Sequence, residues 1–166
     1  MDLEKLKIEN LSIAKSKGYG IEEADISVPE KIALIHSEIS EAYEGYLAGN
    51  FLNRHGFNEE LADVFLRSLH LAGIWRLDLS SISTSPAATG FTTEQSLLQL
   101  HKIISECYEA YRHKQLINAY SKLEEALSAI LTLAISTRVD LEQEALKKME
   151  LNKQRIWDKK SLNEGT

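Results

Sequence analysis

VPEKIALIHSEISEAYEGY, residues 28–46, is the stretch whose reading decides the fold. Ala33, Leu34, Ile35, Ile39, Ala42, Tyr43 and Tyr46 recur close to the spacing of an amphipathic helix. Pro29 suits a first helical turn, where its missing N–H costs nothing, and a helix is expected over about 30–47. Glu38 and Glu41 stand three residues apart in it. That spacing puts both acids on one helical face, with Cβ atoms roughly 5–6 Å apart. Glu38 sits between Ile35 and Ile39, beside the apolar stripe rather than opposite it.

The same pattern extends in both directions. Residues 2–17 carry Leu3, Leu6, Ile8, Leu11 and Ile13 near helical spacing, and Gly18 and Gly20 are expected to stop that helix. A loop rich in Gly and Asn (Gly49, Asn50, Asn53, Gly56, Asn58) leads to a third helix over about 58–75, whose Leu61, Val64, Phe65, Leu69 and Leu71 face a core. SSISTSPAATGFTT, residues 80–93, is the best linker in the chain. Three more helical patterns follow, over about 94–112, 116–136 and 140–157, and the tail SLNEGT is expected to fray. No alternation of period two is long enough for a strand. The chain reads as one all-α domain over 1–166.

Composition narrows the function. A formal charge of −6 argues against a nonspecific grip on nucleic-acid phosphates. No apolar run approaches the roughly 18–20 residues that span a bilayer. One cysteine, Cys107, excludes an internal disulfide and suits a cytoplasmic protein; it is expected to pack in the second half.

The two halves echo each other. SEISEAY at 37–43 returns as SECYEAY at 105–111, an offset of 68, and LAGIWRLDL at 71–79 returns as LAISTRVDL at 133–141, an offset of 62. This reads as a duplicated helical hairpin, over 28–79 and 96–157, forming a helical bundle. The second copy has lost acids. In the ungapped register Lys122 falls opposite Glu60 and Glu125 opposite Asp63; a second register places Ser128 opposite Asp63. Glu106 and Glu109 are therefore expected at the surface or in salt bridges.

In the first half, GFNEELADVFLRSL adds Glu60 and Asp63, again three apart. A lone Glu-x-x-Glu is common on a wet helix face. Two pairs on consecutive helices, each among apolar neighbours, point to four carboxylates around one point. Such charges repel unless a cation or proton joins them. A hard divalent cation with oxygen ligands, such as Mg²⁺, satisfies them. Arg67 and His70 share the side of Asp63 and read as salt-bridge partners, with phosphate contact the other option. His36 reads either as support for Glu38 or as an ordinary helix histidine. Trp75 and Trp157 sit near helix ends, where aromatic anchors are usual, and Lys159 and Lys160 read as a solvated terminus.

VPEKIALIHSEISEAYEGY followed by GFNEELADVFLRSLHLAG resembles the all-α nucleoside triphosphate pyrophosphohydrolases, the MazG-like group related to dimeric dUTPases. Their signature is ExxE, a spacer, then ExxD; here it is Glu38-x-x-Glu41, eighteen residues, and Glu60-x-x-Asp63. LKKMELNKQR is similar to a downstream KMxxNxxR segment, which aligns Lys148, Asn152 and Arg155 on one helical face. The histidine-glycine that usually follows is replaced by IWDKK. The resemblance implies Mg²⁺-dependent cleavage of a nucleoside triphosphate to monophosphate and pyrophosphate, with Mn²⁺ as the alternative ion. It implies Glu38, Glu41, Glu60 and Asp63 as metal ligands, and Lys148, Asn152 and Arg155 as the triphosphate grip; one of the four carboxylates activates water, and Glu38 is the choice among them. Relatives usually assemble through helical faces, so a homodimer is expected; housecleaning of the nucleotide pool is one duty such an activity would serve, and the sequence does not decide it. Two rivals stand beside it. A ferritin-like di-iron bundle needs Glu-x-x-His, which the chain lacks. The other is a catalytically degenerate helical binding or scaffold module.

Overall fold

The computed structural model describes residues 1–82 and 91–154. Much of the linker, the expected helix end at 155–157, Arg155, Trp157, Lys159, Lys160 and the tail lie outside the described residues. Among them are six α-helices: α1 (Leu3–Ser16), α2 (Val28–Leu47), α3 (Phe57–Ile74), α4 (Thr93–Arg112), α5 (Leu116–Thr137) and α6 (Leu141–Gln154), with one 3-10 turn at Glu23–Asp25.

Local chemistry sets the boundaries. Asp2 caps α1 by accepting the Lys5 N–H at 3.0 Å, and Ser27 caps α2 by accepting from Glu30 N–H at 3.3 Å. Thr92 and Gln95 form a reciprocal capping box at the start of α4. Gly18 leaves α1 at φ +77°, a conformation that costs other residues about 1 kcal/mol or more.

The α2–α3 hairpin packs on the α4–α5 hairpin, with α2 against α4 and α3 against α5. α1 and α6 then close over α3. With four neighbours, α3 is buried nearly all round: Leu61, Ala62, Val64, Phe65, Leu69, Leu71 and Ala72 are fully enclosed. Each large apolar side chain there contributes about 1.5–3 kcal/mol of burial. The consequence matters for function, because any acid on α3 is carried into the protein with them.

Two apolar stripes differ from expectation. In α2 the core line is Val28, Ile32, Ile35, Ile39 and Ala42, whereas Ala33 and Tyr43 are exposed. In α1 Ile8 is 62% exposed and Lys7 is buried in its place. Lys7 reaches the core side because its ammonium donates to the Leu77 carbonyl at 2.5 Å and to Glu4 at 2.8 Å. A stem that buries its methylenes and satisfies its head is indistinguishable from a surface lysine in sequence.

Candidate metal centre

Glu38 and Glu41 project from α2 toward the start of α3 because the helices cross closely there. Gly45, one turn beyond Glu41, makes this approach possible: a Cβ at that position would lie 2.7 Å from the Phe57 backbone nitrogen. Across the crossing, Glu60 and Asp63 lie in the first two turns of α3.

The oxygens of Glu38, Glu60 and Asp63 come within 4.8 Å of one another. Glu41 joins through a second set, in which its carboxylate, the His55 ring and Glu60 also lie within 4.8 Å. Glu60 belongs to both sets. Glu38 and Glu60 are buried, Asp63 is half-buried, and Glu41 is exposed at the mouth.

Cations from two helices meet these acids. Arg67 of α3 places Nε at 2.6 Å and Nη2 at 2.5 Å from Glu38 Oε1. Lys148 of α6 is itself buried and places Nζ 2.6 Å from both Asp63 Oδ2 and Glu59 Oε1. Glu59 also accepts the His55 backbone N–H at 2.8 Å. Glu60 receives the His55 Nδ1 at 3.1 Å, and among the described residues no Lys or Arg pairs with it.

The electrostatics follow from this wiring. Burial, then the neighbouring Asp63 charge, raises the Glu60 carboxyl to about 7. Burial also raises Asp63, against the opposing pull of Lys148. Burial works against ionised Glu59 too, but its hydrogen bonds to Lys148 and the His55 backbone win and lower its pKa. Lys148 is likewise disfavoured by burial, yet Asp63 and Glu59 raise it.

Three convergent carboxylates with a fourth at the rim form an all-oxygen donor set for a hard dication such as Mg²⁺ or Mn²⁺. The residues fit such an ion on two counts: their donor atoms share one small region, and burial together with the neighbouring Asp63 charge leaves Glu60 reluctant to ionise.

The cationic segment is split. Lys148 lies at the acids; Asn152 is half-buried one turn further along α6; Arg155 lies outside the described residues. Sequence reasoning did not reach His55 or Glu59. Glu59 stands four residues before Asp63, on the same face, which was the available signal. His55 had none beyond its loop beside Gly56.

Other sites resolve as packing. His36 stacks on His101 of α4, with ring centroids 5.0 Å apart and Nδ1 atoms 2.7 Å apart. Trp75 is buried against Tyr111 and Tyr120. Cys107 is fully buried, donates to the Ala119 carbonyl at 3.3 Å, and burial pushes its thiol up to about 12. In the second hairpin Lys122 lies 2.8 Å from both Glu106 and Glu125, while Glu109 pairs with Arg112 at 2.8 Å. Glu106 and Glu109 are thus both salt-bridged.

No protein-family model, curated protein or solved structure matches the chain. No helix among the described residues is long and apolar enough to cross a membrane.

Proposed function

We propose that this protein is a Mg²⁺-dependent nucleoside triphosphate pyrophosphohydrolase, releasing nucleoside monophosphate and pyrophosphate. The convergence of Glu38, Glu60 and Asp63, with Glu41 at the mouth, carries this reading. When bound, the ion supplies charge neutralisation on phosphate oxygens and alignment for in-line attack by water. Glu38 accepts the proton from that water. Arg67 holds Glu38 through Oε1, which fixes the orientation of the carboxylate. Lys148, with Asn152 and Arg155 further along the chain, supplies positive charge and donors for the leaving pyrophosphate. The second hairpin is read as an inherited counterpart without a metal; the Lys122 ammonium, 2.8 Å from both Glu106 and Glu125, supports that reading. The working unit is a cytoplasmic homodimer active on the nucleotide pool.

The test is a pyrophosphate-release screen over ordinary and damaged nucleoside triphosphates with Mg²⁺ or Mn²⁺. Glu38→Gln abolishes turnover and Glu106→Gln changes it little; equal damage from both refutes the assignment. One observation favours a second reading, a helical binding module without catalysis: Arg67 and Lys148 already neutralise Glu38 and Asp63 without any ion. Mg²⁺ separates the two. At 100 times its dissociation constant it stabilises the enzyme by about 2.7 kcal/mol, roughly 5–10 °C for a chain of this size, and leaves the module unchanged.

A further inference from the structure

We propose that Glu59 is a positioning residue: it keeps the Lys148 ammonium at the acid cluster when a divalent cation takes Asp63, and so presents that ammonium to an anionic phosphate oxygen of the substrate. The proposal deepens the function proposed above; it rests on the metal reading of Glu38, Glu60 and Asp63, but not on the reaction assigned to them.

Lys148 is shared between two acids of unequal standing. Its Nζ lies 2.6 Å from Glu59 Oε1 and 2.6 Å from Asp63 Oδ2, with only 8% of the side chain exposed. Asp63 belongs to the carboxylate set with Glu38 and Glu60, whereas Glu59 belongs to neither set of converging ligand atoms. Glu59 is committed elsewhere: Oε1 accepts from Lys148, and Oε2 accepts the His55 backbone N–H at 2.8 Å. That N–H belongs to a residue held at φ +56° just ahead of α3. Turning Glu59 toward an ion would therefore cost a backbone hydrogen bond.

The two acids part company when a cation arrives. An ion bonded to Asp63 at about 2.1 Å would stand within about 5 Å of the ammonium on the same carboxylate, where like charges repel strongly. Lys148 then loses Asp63 as its counter-charge, yet a lone charge inside the protein is costly. Glu59 supplies the remaining negative charge and keeps Nζ in place. An ammonium has three donors. Glu59 retains one, and the one released from Asp63 faces the cluster, where it meets a phosphate oxygen. Without the Glu59 charge, Lys148 has Asp63 alone, and ion and ammonium compete for one carboxylate.

The experiment is ¹⁵N NMR of the lysine ammonium groups in the full chain, with and without saturating Mg²⁺, together with Mn²⁺ binding followed by EPR of the free ion. Saturation is judged from the rise in melting temperature. The Lys148 signal, observable because a buried ion-paired ammonium exchanges slowly, is assigned by its loss in Lys148→Arg. In the wild type it is expected to survive Mg²⁺. In Glu59→Gln, which keeps the shape and an acceptor for the His55 N–H, it is expected to be present without Mg²⁺ and lost with it, and Mn²⁺ affinity is expected to fall about tenfold or more. A purely structural clamp between α3 and α6 would make any loss in the variant independent of Mg²⁺. A metal-free wild type without the signal, its loss from the wild type on adding Mg²⁺, any other pattern in Glu59→Gln, or an unchanged Mn²⁺ affinity overturns the proposal alone. Failure of the wild type to bind either ion overturns both it and the metal reading. Circular dichroism verifies the fold of Glu59→Gln, and the wild-type arm decides without it.

Discussion

Replacing Glu60 with glutamine should make the metal-free protein more stable, and only at higher pH. In the folded state the Glu60 carboxyl is raised from 4.5 to about 7 by burial and by Asp63. Between those values the folded protein keeps a proton that the unfolded chain has released. Stability therefore falls as pH rises through this window and levels off above about 7. At about 1.4 kcal/mol per pH unit, the full cost of the ionised form is on the order of 3 kcal/mol. Glu60→Gln keeps the shape and an acceptor for His55 but carries no charge. Urea unfolding in excess EDTA should show the variant more stable by about 3 kcal/mol at pH 8 and within about 1 kcal/mol at pH 5. With a denaturant slope near 2 kcal/mol per molar, the pH 8 midpoint moves up by roughly 1.5 M. Glu59 and His70 titrate with the opposite sign and are common to both proteins; Asp63 titrates with the same sign and, as the charge that faces Glu60, is eased by the same substitution, which adds to the variant's advantage. A variant less stable than wild type at pH 8, or a difference independent of pH, refutes the reasoning. Saturating Mg²⁺ should shrink or reverse the variant's advantage, since an ion restores what the charge costs.

Two lysines each bridge two carboxylates, but burial separates them. Lys148→Met, which strands Asp63 and Glu59, should cost about 3–5 kcal/mol in urea unfolding at pH 8, whereas Lys122→Met at the surface should cost under about 1 kcal/mol. Gly45→Ala forces a methyl onto the Phe57 nitrogen; it should cost about 1–3 kcal/mol and weaken Mn²⁺ binding in a titration, because it parts α2 from α3 beside the acids. Burial, then the Lys31 charge, holds His70 down at about 4 against an ordinary 6.5. Its contribution is present above 6.5 and is lost as pH falls toward 4, so His70→Leu should make the acid limb of the stability profile shallower by up to about 1.4 kcal/mol per pH unit.

Much of the site was legible because helix geometry is local. Glu38 and Glu41, and Glu60 and Asp63, share faces by spacing alone, and flanking leucines and isoleucines placed Glu38 and Asp63 near the core. Lys148 was noticed for its spacing to Asn152, yet its contacts are Glu59 and Asp63, 89 and 85 positions away. Glu41 shows the limit in the other direction: it shares a helical face with Glu38 yet lies exposed at the mouth, beside His55 and Glu60.

The amino-acid order by itself determined the helix spans, their caps and the sides on which the acids emerge. Each of these depends on residues three or four apart along one helix. Only the tertiary structure decided which cations reach those acids, that Glu60 is buried with a histidine as its partner, and that Lys122 pairs with both Glu106 and Glu125 in the second hairpin. Those outcomes depend on how separate helices pack: α6 closing over α3, and α2 approaching it where Gly45 lacks a side chain. No periodicity within a single helix encodes such distances.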